Sequence, residues 1–232
     1  MIMNECLWLA MAVLDFGLVL LIYRLYGRLG LLLWVPIGTI LANIQVLKVV
    51  ELFGMTATLG NIAYGSIFLA TDILSENHGK RDARTAVGIG FISMLAMLAI
   101  MTLAVHFVPT EDDFAHEHLQ ALFGFMPRVV AGSLLAYVAS QYHDIWSYHA
   151  WRRLLPATRY LWVRNNLSTL VSQAIDTLIF TTVAFAGVFD AGVFWSIAIT
   201  TYLLKAIVAI IDTPCLYAAK YLFDKGKIPD GV

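Results

Sequence analysis

Charged residues are scarce in this chain. Asp, Glu, Lys and Arg account for 13% of its 232 residues and hydrophobic residues for 60%, whereas an average soluble domain is about 25% charged. This composition predicts an integral membrane protein. Cysteine is also rare: Cys6 and Cys215 fall in the first and last apolar runs, so we expect no disulfide framework. The formal net charge of -1, with basic residues confined to short loops, argues against nucleic acid as a partner.

Motifs of enzymes and channels are absent as well. The chain has no Gly-x-Ser-x-Gly, no His-Glu-x-x-His and no phosphate-binding loop, and no re-entrant filter sequence is visible. Asp72 and Asp144 could be cast as a pair of catalytic acids, but neither lies in the motif of an intramembrane aspartyl protease. The acids and histidines of residues 106–118 fit no closed metal-ligand spacing. We therefore predict no enzyme activity, no cofactor and no metal.

Long hydrophobic runs, in contrast, fill almost the whole chain. A transmembrane helix needs about 20 mostly apolar residues. The first run has no Lys or Arg before it and no small-residue cleavage pattern after it, so we interpret it as a retained helix rather than a signal peptide. The predicted fold class is an all-α integral membrane protein with about seven transmembrane helices, near residues 5–26, 29–50, 56–78, 84–108, 121–149, 162–188 and 192–222.

Lys and Arg are concentrated in alternate loops between these spans. The opposite loops hold the acidic segment 111–118 and, as their only cation, Lys48. Because positive residues favour the cytoplasmic side, we predict an outside amino terminus and a cytoplasmic carboxyl terminus. The residues on the predicted cytoplasmic side are Arg24, Arg28, Lys80, Arg81, Arg84, Arg152, Arg153, Arg159, Arg164, Lys220, Lys225 and Lys227.

Ionisable residues recur inside the predicted spans at helical spacing. Asp72 and Glu76 are four residues apart and share one helix face, which continues back to Phe68. An acid at the centre of a membrane helix costs about 3 kcal/mol and is a functional-site hypothesis by default. The fifth, sixth and seventh spans carry similar polar stripes, so we predict a shared polar cavity that binds a ligand. The candidate binding residues are Asn43, Phe68, Asp72, Glu76, Gln141, Asp144, Trp146, Gln173, Asp176 and Lys205.

Several of these residues also have a purely structural interpretation. Lys205 and Asp212 could form an ion pair, and Trp146 could anchor at the membrane interface. Asp176 is harder to explain in this way, because its own helix offers no adjacent cation. We expect Arg128 at the outer mouth or paired elsewhere. Three acids lie close enough to the inner surface to reach water or the loop arginines: Asp72, Glu76 and Asp144.

Dispersed segments of the chain resemble one known family. They are FLATDILSENHGKRDAR at 68–84, Arg128 with SLLAY, QYHD at 141–144, STLVSQAIDT at 168–177, and Lys205 with Pro214. In this order they resemble the queuosine precursor transporter family, formerly grouped as vitamin uptake transporters, over about residues 30–223. That family's six-helix core implies three parts: an extra helix at 1–28, to which we assign no transport role, the core at 29–223 and a cytoplasmic tail at 224–232.

The resemblance implies import of 7-deazaguanine bases (7-cyano-7-deazaguanine, 7-aminomethyl-7-deazaguanine or queuine) across a bacterial inner membrane, for salvage into tRNA modification. The candidate residues suit such a ligand independently. A carboxylate, Asp176 or Asp144, can accept the two adjacent N–H donors of a guanine-like edge. Gln173 or Lys205 can face the keto oxygen, and Phe68 can wall the flat ring. A cationic aminomethyl group would need a second acid.

Other functions stay open at the level of sequence. The chain could be the substrate-binding subunit of an ATP-driven vitamin importer, which would require ATPase partner proteins because the chain has no nucleotide site. An intramembrane enzyme is the less favoured alternative. We expect the lipid bilayer and a deazaguanine as partners, with small-residue helix faces that could support a homodimer. The expected mechanism is alternating access, with its energy source undetermined.

Overall fold

The fold is a bundle of helices with one short β-hairpin. The computed structural model describes residues 2–124, 127–187 and 190–229. Residues 125–126 and 188 of two predicted spans, and 230–232 of the predicted tail, lie outside this part. A π-helical turn at Gln120–Gly124 and a 3-10 turn at Thr158–Tyr160 precede two of the helices. Within the described ranges the helices are α1 (Ile2–Gln45), α2 (Asn61–Asn77), α3 (Lys80–Ala104), α4 (His116–Leu119), α5 (Pro127–Leu154), α6 (Leu161–Phe185), α7 (Ala191–Ile211) and α8 (Thr213–Asp224).

Helix α1 folds back on itself at Gly27. Gly27 has φ 57° and ψ -137°, a conformation that is accessible to glycine and strained for other residues. The side chain of Asn4 donates a hydrogen bond to the carbonyl oxygen of Glu51 at 3.1 Å, just beyond the end of α1. This contact joins the start of α1 to the segment after its end, so the two halves of α1 run in opposite directions. The break falls between the first two predicted spans.

A β-hairpin follows α1, where the sequence predicted helix. Strands β1 (Val49–Leu52) and β2 (Met55–Thr58) pair antiparallel. The turn residues Phe53 and Gly54 both have positive φ, 52° and 73°, as in the type I′ turn that suits the twist of a two-residue hairpin. The second and third predicted spans are therefore wrong at these ends, because β-branched residues and a Phe-Gly turn favour a hairpin. We call this side of the bundle the hairpin end, and the opposite side, where most Lys and Arg lie, the basic end.

Helix α2 occupies the centre of the bundle. Every residue from Asn61 to Glu76 is buried, with α1, α3, α5, α7 and α8 packed around the helix. Gly65 permits the close approach of α7, because a Cβ atom at this position would lie 2.2 Å from Cγ1 of Val208. Every face of α2 therefore contacts protein, and the binding face expected from Asp72 and Glu76 stays a prediction.

The last predicted span is interrupted near the basic end of the bundle. Helix α7 ends at Ile211 and α8 begins at Thr213. Pro214 has no backbone N–H and cannot continue the hydrogen bonding of α7. The interruption leaves Asp212 at the junction, where its side chain is completely buried. In membrane transporters, interrupted helices commonly border ion and substrate sites.

Polarity in this bundle is the reverse of that in a soluble protein. Large apolar side chains such as Val13, Ile92 and Ile199 face outward, while acids, amides and hydroxyls are buried. By length and composition, four helical segments of the described chain can cross a membrane: Met3–Gln45, Lys80–Ala104, Thr158–Ala184 and Ile197–Asp224. The first has 43 residues, about 65 Å of helix, which is twice a hydrocarbon core of about 30 Å. The chain is an all-α membrane protein, apart from the hairpin.

Candidate functional site

Buried polar side chains form a continuous seam between α2, α5, α6 and the α7–α8 junction. Their three- and four-residue spacing along α5 and α6 returns them to the facing sides of these two helices. Serine and threonine recur along the seam, and such small side chains let helices approach closely. We define the polar seam as Asp72, Ser133, Ser140, Gln141, Asp144, Asn165, Ser168, Thr169, Ser172, Gln173, Asp176, Thr177, Lys205 and Asp212, all of which are buried.

An ion pair lies in the half of the seam nearer the hairpin end. Lys205 on α7 donates a hydrogen bond to Oδ2 of Asp176 on α6. Ser140 on α5 donates to the other carboxylate oxygen at 3.2 Å. The Lys205 ammonium also lies 4.8 Å from the centre of the Tyr64 ring, a cation–π contact. Lys205 therefore pairs with Asp176, and the ion pair with Asp212 that the sequence also allowed is absent from the described contacts.

A small cavity adjoins this ion pair. Its volume is about 20 Å³, which accommodates about one water molecule and excludes a heterocyclic base. The Asp176–Lys205 pair, the amide of Asn61 and the rings of Tyr64 and Phe180 all border this cavity. The lining residues are Val46, Leu59, Asn61, Tyr64, Ser133, Ala136, Asp176, Phe180 and Lys205. A ligand of the size of a base therefore needs the surrounding helices to separate.

Three buried acids lie in the half of the seam nearer the basic end. We call Asp72, Asp144 and Asp212 the acid triad. Thr169 on α6 donates to Oδ2 of Asp72 at 3.3 Å, and Asn165, one helical turn away, donates to Oδ1 of Asp212 at 3.1 Å. Asp72 on α2 and Asp144 on α5 lie opposite each other, between the Thr71–Gln141 and Tyr148–Glu76 hydrogen bonds that join these two helices. All three are 0% exposed, and no Lys or Arg of the described chain pairs with them.

Two glutamines lie between the acid triad and the ion pair. Thr71 donates to Oε1 of Gln141 at 3.3 Å. Within the part of the chain that the structure describes, Nε2 of Gln141 and Oε1 of Gln173 have no hydrogen-bond partner. An unsatisfied buried polar atom costs about 1–3 kcal/mol. These two amides can therefore gain free energy by binding a polar ligand that enters the seam.

Glu76 is the centre of a different arrangement, which closes the basic end. Arg164 on α6 donates to Oε2 of Glu76 at 3.1 Å, and Tyr148 on α5 donates to the same atom at 3.0 Å. Arg152 binds the carbonyl oxygens of Ser75 and Glu76 at 2.9 and 2.8 Å. The pairing with arginines that the sequence allowed for three acids therefore occurs for Glu76, while the other two, in the acid triad, lack it.

Three of the predicted binding residues lie apart from these groups. Trp146 is 57% exposed, because it follows Asp144 by two residues and so points to the opposite side of α5. Asn43 donates to Met94 Sδ at 3.0 Å and borders another cavity, of about 30 Å³. Phe68 is buried on α2, but it is not among the residues that border the cavity beside the ion pair.

Sequence reasoning missed several residues of this region. Tyr64 borders the cavity, and a signal was present, since it precedes Phe68 by one helical turn on α2. Arg164 was counted as a loop cation, yet its side chain is fully buried against Glu76. Arg128 donates to the carbonyl oxygens of α6 at Val183 and Ala186, so it caps a helix rather than contacting the seam.

A polar seam enclosed by helices with apolar outer faces is the arrangement of a membrane transport protein. Comparison with known proteins identifies the kind of membrane transport protein. The family model described as "Putative vitamin uptake transporter" matches residues 58–219, and the chain belongs to this family, whose curated relatives are named as queuosine precursor transporters. The resemblance noted from the sequence is thereby confirmed.

Three relatives illustrate the extent of the similarity. The "Probable queuosine precursor transporter" of Bacillus subtilis is 48% identical over 217 residues, 94% of this chain and 95% of the relative. The "Queuosine precursor transporter" of Escherichia coli is 27% identical, over 81% of this chain and 86% of the relative. A "Probable queuosine precursor transporter" of Haemophilus influenzae is 29% identical, over 68% and 66%. No solved structure matches. Because the first match covers 94% of the chain, it extends into the first half of α1.

Proposed function

We propose that this protein imports 7-deazaguanine queuosine precursors: 7-cyano-7-deazaguanine, 7-aminomethyl-7-deazaguanine or queuine. The names of the relatives support this substrate class. The observation that carries the proposal in the molecule itself is the buried Asp176–Lys205 ion pair, which borders a cavity together with Tyr64 and Phe180.

The ion pair complements the hydrogen-bonding edge of a guanine-like base. That edge presents two adjacent N–H donors next to a keto oxygen. A carboxylate accepts the two donors as a bidentate, charge-assisted pair, and an ammonium donates to the oxygen. Asp176 and Lys205 can therefore exchange their bond to each other for bonds to the ligand, so that neither charge is left buried alone. Tyr64 and Phe180 would then lie against the ring faces.

The orientation follows from the charges at the two ends of the bundle. We infer a multi-pass protein of the bacterial inner membrane with seven crossings: the two halves of α1, then α2, α3, α5, α6, and α7 with α8. The basic end, with Lys80, Arg81 and Arg84 on α3, faces the cytoplasm. The hairpin end then faces outward, and the ion pair lies in the outer half of the seam.

Both ends of the proposed path are narrow in this conformation. Val46 and Leu59, which flank the hairpin in sequence, line the cavity at the hairpin end, and β2 packs against α7. The contacts of Glu76 with Arg164 and Tyr148 close the basic end. This supports an occluded state in an alternating-access cycle. The base would enter after the hairpin end opens and leave after the contacts of Glu76 break.

Binding to the detergent-purified protein tests the proposal. Calorimetry with the three deazaguanines, guanine and adenine should show binding of at least one deazaguanine and none of adenine, whose edge has a different donor pattern. The double variant Asp176→Asn/Lys205→Met removes both charges together, so it leaves no unpaired buried charge, and it should lose at least tenfold in affinity. Asp112→Asn makes the same chemical change on an exposed loop residue and is the matched control.

The outcomes separate the alternatives. Full affinity in the double variant would show that the ion pair is not part of the binding site. Failure of all three deazaguanines to bind would reject the proposed substrate class. Uptake by liposomes that contain this protein alone would exclude a need for ATPase partner subunits. A product that differs chemically from the added base would favour an enzyme instead.

A further inference from the structure

The acid triad has no role in the recognition of the base described above, although its members are as deeply buried as the ion pair. Two other buried acids, one in the polar seam and one beside it, are paired with cations. Asp176 pairs with Lys205, and Glu76 pairs with Arg164. The triad has three carboxyl groups and, within the described residues, no such partner. Taking an ion out of water costs several kcal/mol unless a partner compensates. The contrast within one protein indicates that the triad is neutralised in another way.

We propose that Asp72, Asp144 and Asp212 form a shared proton-binding site, and that protons bound there are carried inward with the base. This deepens, and rests on, the proposed import of deazaguanines. Each cycle would take up at least one proton on a carboxylate oxygen from the outer side and release it as the carboxylate is restored on the cytoplasmic side. With a neutral base, one positive charge then crosses per proton.

Hydrogen-bond accounting supports a bound proton. An ionised carboxylate only accepts hydrogen bonds, so Asp72 and Asp144, which lie opposite each other between the Thr71–Gln141 and Tyr148–Glu76 bonds, can bond to each other only when one of them carries a proton and donates it. Both oxygens of Asp144, Oδ1 of Asp72 and Oδ2 of Asp212 are buried and have no donor in the described chain. Sharing one proton is a general way in which two adjacent carboxyl groups avoid the repulsion of like charges.

The side chains around the triad point to a proton rather than a metal ion. They are hydroxyls and an amide: Thr169 and Asn165 donate to triad oxygens, and the free Nε2 of Gln141, on the same face of α5 as Asp144, is a further donor without an acceptor. A metal site needs acceptors converging on one point, and the described residues contain no cluster of His, Cys, Asp and Glu with metal-binding geometry.

The position of the triad explains how proton binding can be coupled to movement. Asp72 belongs to α2, Asp144 to α5 and Asp212 to the α7–α8 junction, and their hydrogen-bond donors belong to α6. Each bound proton lowers the repulsion between these elements and favours the packed arrangement. Loss of the proton restores negative charge at their meeting point and favours their separation, next to the Glu76 contacts that close the basic end.

Proteoliposomes provide the transport test. They would contain wild-type protein or Asp144→Asn, with a pH-sensitive dye inside and 7-cyano-7-deazaguanine outside. Wild type should acidify the interior as the base enters, and an imposed proton gradient should raise accumulation of the base severalfold. Asp144→Asn should lose at least tenfold in base-dependent proton uptake, while Asp112→Asn should behave as wild type. Accumulation driven by a sodium gradient and unaffected by a proton gradient would overturn the proposal.

Infrared spectroscopy gives a reading that does not depend on the substrate. The purified protein near neutral pH should show the C=O stretching band of a protonated carboxyl in a buried setting, and Asp144→Asn or Asp212→Asn should reduce or shift that band. Absence of the band would overturn the proton site. The band without any transport of base would instead reject the proposed substrate, so the two failures are distinguishable. Size-exclusion profiles of each variant establish that it is folded.

Discussion

Arg164 on α6 and Glu76 on α2 form a 3.1 Å ion pair in which the side chains are 1% and 4% exposed. The pair joins two central helices at the basic end. Arg164 also donates to the carbonyl oxygens of Leu155 and Pro156, both at 3.1 Å, so it ties the α5–α6 connection to α2 as well. This contact therefore combines structural stability with closure of the proposed exit.

Replacing Glu76 with Gln should destabilise the protein strongly. The change leaves the Arg164 guanidinium buried with no opposite charge within hydrogen-bond distance, and breaking a buried pair by removing one partner costs about 3–5 kcal/mol. Chemical unfolding of the purified protein in detergent measures this loss.

The surface pair of Arg28 and Asp82, at 3.1 Å with side chains 42% and 18% exposed, is the control for that experiment. Asp82→Asn should cost no more than about 1 kcal/mol. Equal losses of unfolding free energy in Glu76→Gln and Asp82→Asn would show that burial does not strengthen the Glu76 contact.

The Asp176–Lys205 pair should show strong coupling in unfolding experiments. Lys205→Met alone leaves a buried carboxylate, and Asp176→Asn alone leaves a buried ammonium, so each should cost about 3–5 kcal/mol. The double variant should recover much of that loss. Additive losses in the double variant would mean that the two charges do not stabilise each other.

The contact of α2 with α7 depends on the absence of a side chain at Gly65. Gly65→Ala should destabilise by about 1–3 kcal/mol, because the added Cβ would meet Val208 Cγ1 at 2.2 Å. The second change Val208→Ala should restore part of the stability. Gly88→Ala on α3, where a Cβ meets nothing within 4 Å, should be neutral or slightly stabilising. A Gly65→Ala protein as stable as wild type would contradict this packing.

The first half of α1 should hold the hairpin in place. Trp8 donates to Oδ1 of Asn61 at 3.1 Å and packs edge-on against Phe53. Trp8→Phe keeps a ring but removes the donor, at a cost of about 1–3 kcal/mol. Hydrogen exchange measured by mass spectrometry should then accelerate at least about fivefold in residues 49–58 and stay unchanged in α3. Unchanged exchange in the hairpin would show that this helix does not stabilise it.

Much of the fold was predictable because membrane insertion imposes simple constraints. Helices that span a bilayer must be long and apolar, so composition was enough to predict an all-α membrane protein. The short hairpin was missed because Val49, Val50 and Leu52 are as hydrophobic as the ends of a helix. The interruption at Asp212 had a visible signal in Pro214, but proline is also tolerated inside transmembrane helices, so the signal was ambiguous.

The sequence by itself determined that the chain lies in a membrane, which family it resembles and which polar residues are costly enough to need partners. Helical periodicity is local, and it predicted correctly that Asp144 and Gln141 share a face. Only the tertiary structure decided which partner each acid has: Asp176 has a lysine, Glu76 has an arginine, and the acid triad has no cation among the described residues. Such choices depend on contacts between helices distant in sequence, which local spacing does not specify.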